Sequence, residues 1–256
     1  MARNEFSQTP PGYVRLQVDD TFALSTVNFP TSVVSGNRYL DNTLLKQSLQ
    51  CTRECGCHRS TCTEINGPAI TAYDIVAQPV TSPKLLKALP FISNANSVSY
   101  DVPLDVDLVL GLPFYSSKVL DKWLNRERFH EWPSKALQDK IAAMIGYVVP
   151  VGHKSSPVRN IEWRISYTTA EKKLVRSMNN VQVKLYVVLK LVQKERFKPV
   201  CPNFTSYMVK NLVFWVLEQT PISRFTPHNL VDNIMSALRI LKAFLTNNIL
   251  PCYMIP

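Results

Sequence analysis

The chain has 256 residues, of which 46% are hydrophobic and 19% charged, a balance that excludes a disordered tail or a collagen-like polymer. It is long enough for one large domain or two small ones, each with a buried core. Twenty-nine basic against 19 acidic side chains give a net charge of +10, which favours anionic partners without choosing among nucleotides, nucleic acid and an acidic membrane surface.

The N-terminus, Met1-Ala-Arg-Asn-Glu, is polar and has no apolar core of the kind a signal peptide carries. No apolar run approaches the roughly 20 residues that a bilayer-spanning helix needs, so no membrane span is expected. The expected compartment is cytoplasmic or nuclear, where the six cysteines serve as thiols or metal ligands rather than disulfides.

Along the first hundred residues the texture is that of strands and loops. Tyr13-Val-Arg-Leu-Gln-Val18 alternates at period two and predicts a strand. Residues 51–70 predict a polar, cysteine-rich loop. Residues 100–168 mix strand and helix. Val106, Leu108 and Leu110 fall on one face of a strand, and Asp105, Asp107 and Val109 on the other. Trp132-Pro-Ser134 opens a helix carrying Leu137, Ile141 and Met144, with Gly146 as its stop. Short strands follow at residues 147–150 and 161–166. From residue 169 the pattern is helical. Thr168 and Glu171 have the spacing of a capping box, and Leu174, Val181, Leu185, Leu189 and Val192 form a broken stripe behind it. Ser206 is placed to cap a helix bearing Val209, Val213, Trp215 and Val216. Thr226-Pro227 starts the last one, whose stripe is Leu230, Ile234, Leu238, Leu241 and Leu245.

Several groups of residues can carry chemistry. Asp105 and Asp107 project from one face at strand spacing, and neighbouring carboxylates repel unless a proton or a cation such as Mg²⁺ or Mn²⁺ lies between them. A solvated edge strand explains the same pair. Arg164, Ser166, Thr168 and Glu171 lie just ahead of, or within, the first turn of a helix, where they can cradle phosphate; a core tryptophan at 163 and a capping box account for their neighbours. Ser206, Tyr207 and Lys210 begin another helix. The ring can stack on a base while the hydroxyl and the ammonium reach phosphates, or the three can simply cap and pack.

In order and spacing these segments resemble the Mab-21 family of nucleotidyltransferase-fold proteins, which includes cyclic GMP-AMP synthase. The resemblance runs through Val106-Asp-Leu-Val-Leu-Gly-Leu112, Trp132-Pro-Ser134, Val149-Pro150 and residues 162–172, then Val188-Leu-Lys190, residues 204–210 and Leu250-Pro-Cys-Tyr-Met-Ile-Pro256. It covers residues 100–256 well and residues 10–100 only at Pro11-Gly-Tyr-Val-Arg-Leu16 and Asn66-Gly-Pro68. The resemblance implies an α+β fold. A partial nucleotidyltransferase-like mixed sheet lobe over residues 1–168 would be followed by an all-helical lobe over 169–256. It implies that Asp107 is a catalytic carboxylate holding Mg²⁺ or Mn²⁺, and that Arg164, Ser166, Thr168 and Glu171 contact the acceptor nucleotide. Lys190 and Ser206 would hold the donor triphosphate, Tyr207 would stack on its base, and ATP and GTP are the implied partners. Asp105 matches no catalytic position of the family.

The departures are as informative. In the family a Gly-Ser turn and an acidic pair precede the segment resembling residues 11–16 and supply two of three metal carboxylates. None of the seven glycines here is followed by serine. Either the sequence is a fragment that lacks this element or it is a relative that has lost catalysis, and a two-metal site reduced to Asp107 is expected to bind Mg²⁺ poorly and to lose most transferase activity. Two further readings stay open: a non-enzymatic module that binds a nucleotide or a protein partner in signalling or development, and a nucleic-acid-binding protein. The second draws on Lys172, Lys173, Arg176, Lys184, Lys190, Lys194, Arg196 and Lys198, a basic run over 172–198 suited either to double-stranded nucleic acid or to a solvated face. Cys51, Cys55, Cys57, His58 and Cys62 are soft ligands close enough to hold zinc, yet the spacing is not that of a paired finger, and reduced loop thiols are the preferred reading. His130, His153 and His228 are scattered and suggest no catalytic triad.

Overall fold

The computed structural model describes residues 3–5, 9–18, 29–49, 62–74, 104–115, 118–247 and 250–255. The chain divides into two compact units, one formed by residues 1–112 with 148–165 and the other by 113–147 with 166–256.

In the first unit the strands are β1 (Arg3–Glu5), β2 (Tyr13–Gln17), β3 (Thr31–Val34), β4 (Asn37–Leu40), β5 (Cys62–Asn66), β6 (Ala69–Asp74) and β7 (Leu104–Val109). Beyond them come β8 (Leu112–Phe114), β9 (Gly146–Val149) and β10 (Glu162–Ser166), and the larger sheet runs β3-β4-β2-β10-β9-β8 with β1 on β2. The alternation in β2 does what its period dictates: Val14 and Leu16 are buried while Tyr13, Arg15 and Gln17 are half-exposed. β2 lies antiparallel to β10, with Trp163 opposite Val14 and Arg164 opposite Tyr13. The β3–β4 hairpin turns at Ser35 and Gly36, both at positive φ (51° and 80°), the conformation a tight two-residue hairpin loop demands. Residues 62–70, expected as loop, form a hairpin instead: β5 and β6 pair across Gly67-Pro68, and Gly67 supplies the positive φ of the turn. β7 completes a three-stranded antiparallel sheet with them.

Helix α1 (Asn42–Leu49) is held at its start by Asp41, whose Oδ1 accepts from the backbone N–H of Thr43 (2.8 Å) and Leu44 (2.9 Å). Its Oδ2 accepts from Ser32 (2.6 Å) and Asn160 (2.7 Å). The Asn42 amide donates to the carbonyls of Arg159 and Glu162, and the Trp163 indole to that of Leu40. The buried Glu162 carboxylate takes the Ser156 hydroxyl (2.7 Å) and the His153 backbone N–H (3.1 Å). These bonds clamp residues 153–162 onto the β4–α1 corner. Burial pushes the Asp41 carboxyl up, and the donors from Ser32, Leu44, Asn160 and Thr43 outweigh it, so its pKa lies below the ordinary value. A depressed folded-state pKa means stability that is complete above the unfolded value of about 4 and lost as pH falls through the folded one. Urea unfolding at stepped pH should therefore show an acid limb below about pH 4 that Asp41→Asn flattens.

The second unit contains α2 (Asp121–Leu124), α3 (Lys135–Ala142), α4 (Thr168–Arg176), α5 (Asn180–Val192), α6 (Ser206–Gln219) and α7 (Leu230–Thr246). Ser134 caps α3, as its position suggested, accepting from the Leu137 N–H. Gly146 is not the helix stop. Helix α3 ends at Ala142, and Gly146 opens β9, buried where a Cβ would stand 3.0 Å from the Tyr167 ring. The stripe of α4 and α5 is broken at residues 177–179 because a true capping box begins there: Asn179 accepts from the N–H groups of Val181 and Gln182, and the Gln182 side chain accepts from the Asn179 N–H. Leu174, Val181, Leu185 and Leu189 are buried as the stripe required. In α7 the buried positions are Asn233, Ala237 and Leu241; Leu230, Ile234 and Leu238 are only half-buried and Leu245 is exposed. A turn of 3₁₀ helix, Pro227–Asn229, precedes α7, and Thr226 stands at its N-cap without a side-chain bond.

At the centre of this unit Tyr253 packs against Phe214 and Trp215, with ring centroids 5.2 Å away in each case, and against Trp132 at 6.0 Å. Its hydroxyl donates to Glu218 at 2.6 Å. Arg126 and Arg128 pair with the same carboxylate at 2.9 and 3.0 Å, and the Arg126 guanidinium lies over the rings of Trp215 (4.2 Å) and Tyr253 (4.7 Å). Among the described residues no helix is long and apolar enough to cross a membrane.

Candidate functional site

Helix α6 begins with residues that cap nothing. Ser206 was expected as the N-cap, but the cap is Thr205, which makes no side-chain bond, and Ser206 is the exposed first helical residue. One residue on, Tyr207 keeps 46% of its surface exposed. Lys210 follows three positions later, which brings it over the same face of the helix. Its ammonium lies 4.8 Å from the Tyr207 ring centroid and 2.6 Å from Glu171 Oε2.

That ion pair bears on Glu171, which does not cap α4. The spacing to Thr168 predicted a capping box, yet α4 has Tyr167 at its N-cap and no side-chain cap bond. Thr168 is the first helical residue, so its hydroxyl is past the capping position, and it pairs with the Ser166 hydroxyl at 2.7 Å. The Glu171 carboxylate is buried and turned to Lys210. A buried carboxylate is tolerable only with such a partner. Burial raises the Tyr186 pKa, and the charge of Glu171 raises it further. Lys190, one turn beyond on α5, has its ammonium 5.7 Å from the Tyr186 ring centroid. Tyr207 is likewise shifted upward, first by burial, then by Cys252 and Glu171, and its hydroxyl meets Cys252 Sγ at 3.1 Å.

The second unit thus gathers Glu171, Lys210 and Tyr207 into one constellation, adds Tyr186 with Lys190 at its side, and sets Ser206 on the turn that carries Tyr207. Tyr186 and Cys252 were not foreseen. The signal for Tyr186 was its spacing of four from Lys190 on a helix; Cys252, in the terminal tail, had none. Chemically the cluster offers an exposed aromatic ring, two ammonium groups and one buried carboxylate, with the exposed Ser206 hydroxyl on the turn that carries the ring. Such a surface suits a flat ring bearing anionic groups.

The remaining predicted residues lie in the first unit. Arg164 is exposed on β10 opposite Tyr13, whose pKa burial raises; Arg164 opposes that shift and Glu162 adds to it. The Tyr13 ring meets His153 edge-on at 5.4 Å. Asp107 is on β7, paired in register with Thr71, and Asp105 with Tyr73. β7 belongs to the three-stranded sheet and β10 to the larger one, so Asp107 and Arg164 are on different sheets. Of the cysteine-rich cluster, Cys51, Cys55, Cys57 and His58 lie outside the described residues, and Cys62 is the first residue of β5. Among the described residues no three of His, Cys, Asp and Glu are grouped to hold a metal ion. The described geometry therefore provides no set for Mg²⁺, and no catalytic step through it is derived. All eight cations from Lys172 to Lys198 are exposed, spread over α4, α5, the π-helical turn Gln193–Phe197 and Lys198 beyond it.

Antiparallel sheets in one unit and helices dominating the other make this a mixed α+β protein, in keeping with partial nucleotidyltransferase-like lobes. Residues 172–256 match the model of the Mab-21 protein HhH/H2TH-like domain. The matched part comprises α5, α6, α7 and most of α4, so this C-terminal region is similar to the C-terminal domain of Mab-21 proteins. No curated protein matches the sequence.

Proposed function

We propose that this chain is a Mab-21 family protein, a nucleotide-binding module with impaired nucleotidyltransferase ability, and that its ligand is a purine nucleoside triphosphate such as GTP or ATP. The observation that carries this reading is the Tyr207–Lys210–Glu171 constellation within and beside the matched domain. Tyr207 offers the base a stacking face, Lys210 and Lys190 meet phosphates, and the hydroxyls of Ser206, Ser166 and Thr168 hydrogen-bond phosphate or sugar. Where the resemblance calls for Mg²⁺ or Mn²⁺, Asp107 is the carboxylate of the family set that would help to hold it. One carboxylate in place of three accounts for the impairment.

Adding GTP with Mg²⁺ should raise the melting temperature of the purified protein. Tyr207→Ala should weaken the apparent affinity by about tenfold or more, the loss of one stacked base. Lys190→Ala should weaken it less, since the lysine is exposed and its charge is screened. A melting temperature unmoved by millimolar GTP or ATP would falsify the reading. Incubation with both nucleotides should yield at most traces of linear or cyclic dinucleotide; robust product abolished by Asp107→Ala would replace impairment with an intact enzyme.

A second reading is favoured by one observation: the eight exposed cations between 172 and 198, none of which is in an ion pair among the described residues. Binding of double-stranded nucleic acid there would fall steeply with salt in a gel-shift titration. A shift insensitive to salt, or none, removes it.

A further inference from the structure

Tyr207 is an exposed ring with an anchored hydroxyl. A free surface tyrosine samples several rotamers and must give that freedom up on binding a base, whereas a ring held in place beforehand does not. Its hydroxyl lies 3.1 Å from Cys252 Sγ in the C-terminal tail. The backbone beneath it is tied to the same tail. Asn211, buried at 3% exposure, donates its amide to the Tyr207 carbonyl at 2.9 Å and accepts the Tyr253 N–H at 2.7 Å. The Trp215 indole donates to the Pro251 carbonyl at 3.0 Å, one helical turn on from Asn211. The tail is itself immobilised, because Tyr253 is fully buried and its hydroxyl bonds Glu218 at 2.6 Å. Residues 251–253 therefore lie along α6 as a strap, fastened at each of its three positions, and only the Cys252 fastening reaches the ring of Tyr207.

We infer that this strap sets the Tyr207 ring for stacking, with Cys252 and Asn211 as positioning residues for the nucleotide base. The inference rests on the nucleotide reading above and adds to it a source of preorganisation 45 residues away in sequence. Neither residue touches the ligand; each acts through Tyr207. Asn211 fixes the turn of helix and Cys252 the ring.

Two measurements on the full chain test it. The first needs no nucleotide. Iodoacetamide alkylates a thiol by forming a C–S bond with loss of iodide and the thiol proton, and peptide mass mapping reads the rate at Cys252 alone. Tyr207→Phe, which keeps the ring and removes the hydroxyl, should speed that reaction about three- to tenfold, the size one lost hydrogen bond supports. An unchanged rate overturns the strap. The second is GTP affinity from the thermal shift. Cys252→Ala should weaken it about three- to tenfold while lowering the melting temperature of the free protein only as far as one lost hydrogen bond does, and Cys252→Ser, which restores a hydrogen-bonding group, should recover most of both losses. Asn211→Asp keeps the acceptor for Tyr253 and removes the donor to Tyr207, and should weaken GTP binding in the same direction. Equal affinity in wild type, Cys252→Ala and Asn211→Asp overturns the positioning role while the nucleotide reading stands. Absence of any GTP response in the wild type removes both, whatever the alkylation rate.

Discussion

Glu218→Ala is expected to destabilise the protein by about 3–5 kcal/mol, the loss seen when one partner of a buried ion pair is removed. The carboxylate is 5% exposed and is the shared acceptor for Arg126, Arg128 and the Tyr253 hydroxyl. Without it, two guanidinium groups and a phenol remain in a site closed by Trp123, Trp215 and Tyr253. Their mutual repulsion is then unopposed, and the hydroxyl has lost its acceptor. Glu218→Gln separates the contributions, because it retains a hydrogen-bonding side chain of the same shape and removes only the charge. It should fall between wild type and Glu218→Ala. Urea unfolding followed by tryptophan fluorescence measures all three, since Trp123, Trp132 and Trp215 lie in this unit. A Glu218→Ala midpoint equal to wild type would show that the cluster contributes nothing net.

Trp163→Ala should cost a similar amount, about 3–5 kcal/mol, for a different reason. The side chain is fully buried on β10 and its indole donates to the Leu40 carbonyl at 3.1 Å. Truncation opens a cavity beside β10 and leaves that buried carbonyl without the indole. Trp163→Phe fills most of the space and loses the bond, so it should cost only about 1–2 kcal/mol. The effect belongs to the first unit, and a circular-dichroism melt that shows its strand signal lost at lower temperature is the readout. Equal melting of Trp163→Ala and wild type would mean that this strand is not part of a cooperative core.

Much of the secondary structure was legible because it follows from spacing. β2, β10, α3 and α6 lie where period two or period 3.6 put them, and Val181, Leu185 and Leu189 of α5 are buried as the stripe selected, whereas Val192 is half-buried and Gln182 is buried outside it. Turn chemistry was legible less often. Gly67 made a hairpin out of an expected loop, and Gly146 began a strand, since a glycine reports a need for backbone freedom or space without saying which. Caps were the weakest point. The Thr168–Glu171 spacing matched a capping box that does not form, while the working box at Asn179 and Gln182 has asparagine and glutamine in its two places.

The candidate site divides along the same line. Tyr207 and Lys210 lie within one helical turn, so their juxtaposition was readable from α6 alone. Lys210 meets Glu171 from 39 residues away and Tyr207 meets Cys252 from 45, and nothing in the local pattern of either segment announces its partner.

By itself, then, the sequence determined the period of elements such as β2, β10, α3 and α6, the net charge of +10, and the run of motifs that resembles the Mab-21 family. It could do so because periodicity, charge and motif order are properties of neighbouring residues. Tertiary structure alone decided that residues 113–147 join the helical unit, that Glu171 neutralises a lysine instead of capping a helix, and that the tail lies against α6. Those outcomes turn on desolvation: a polar group taken out of water must find a partner, and which partner is in reach is known only once the chain has packed.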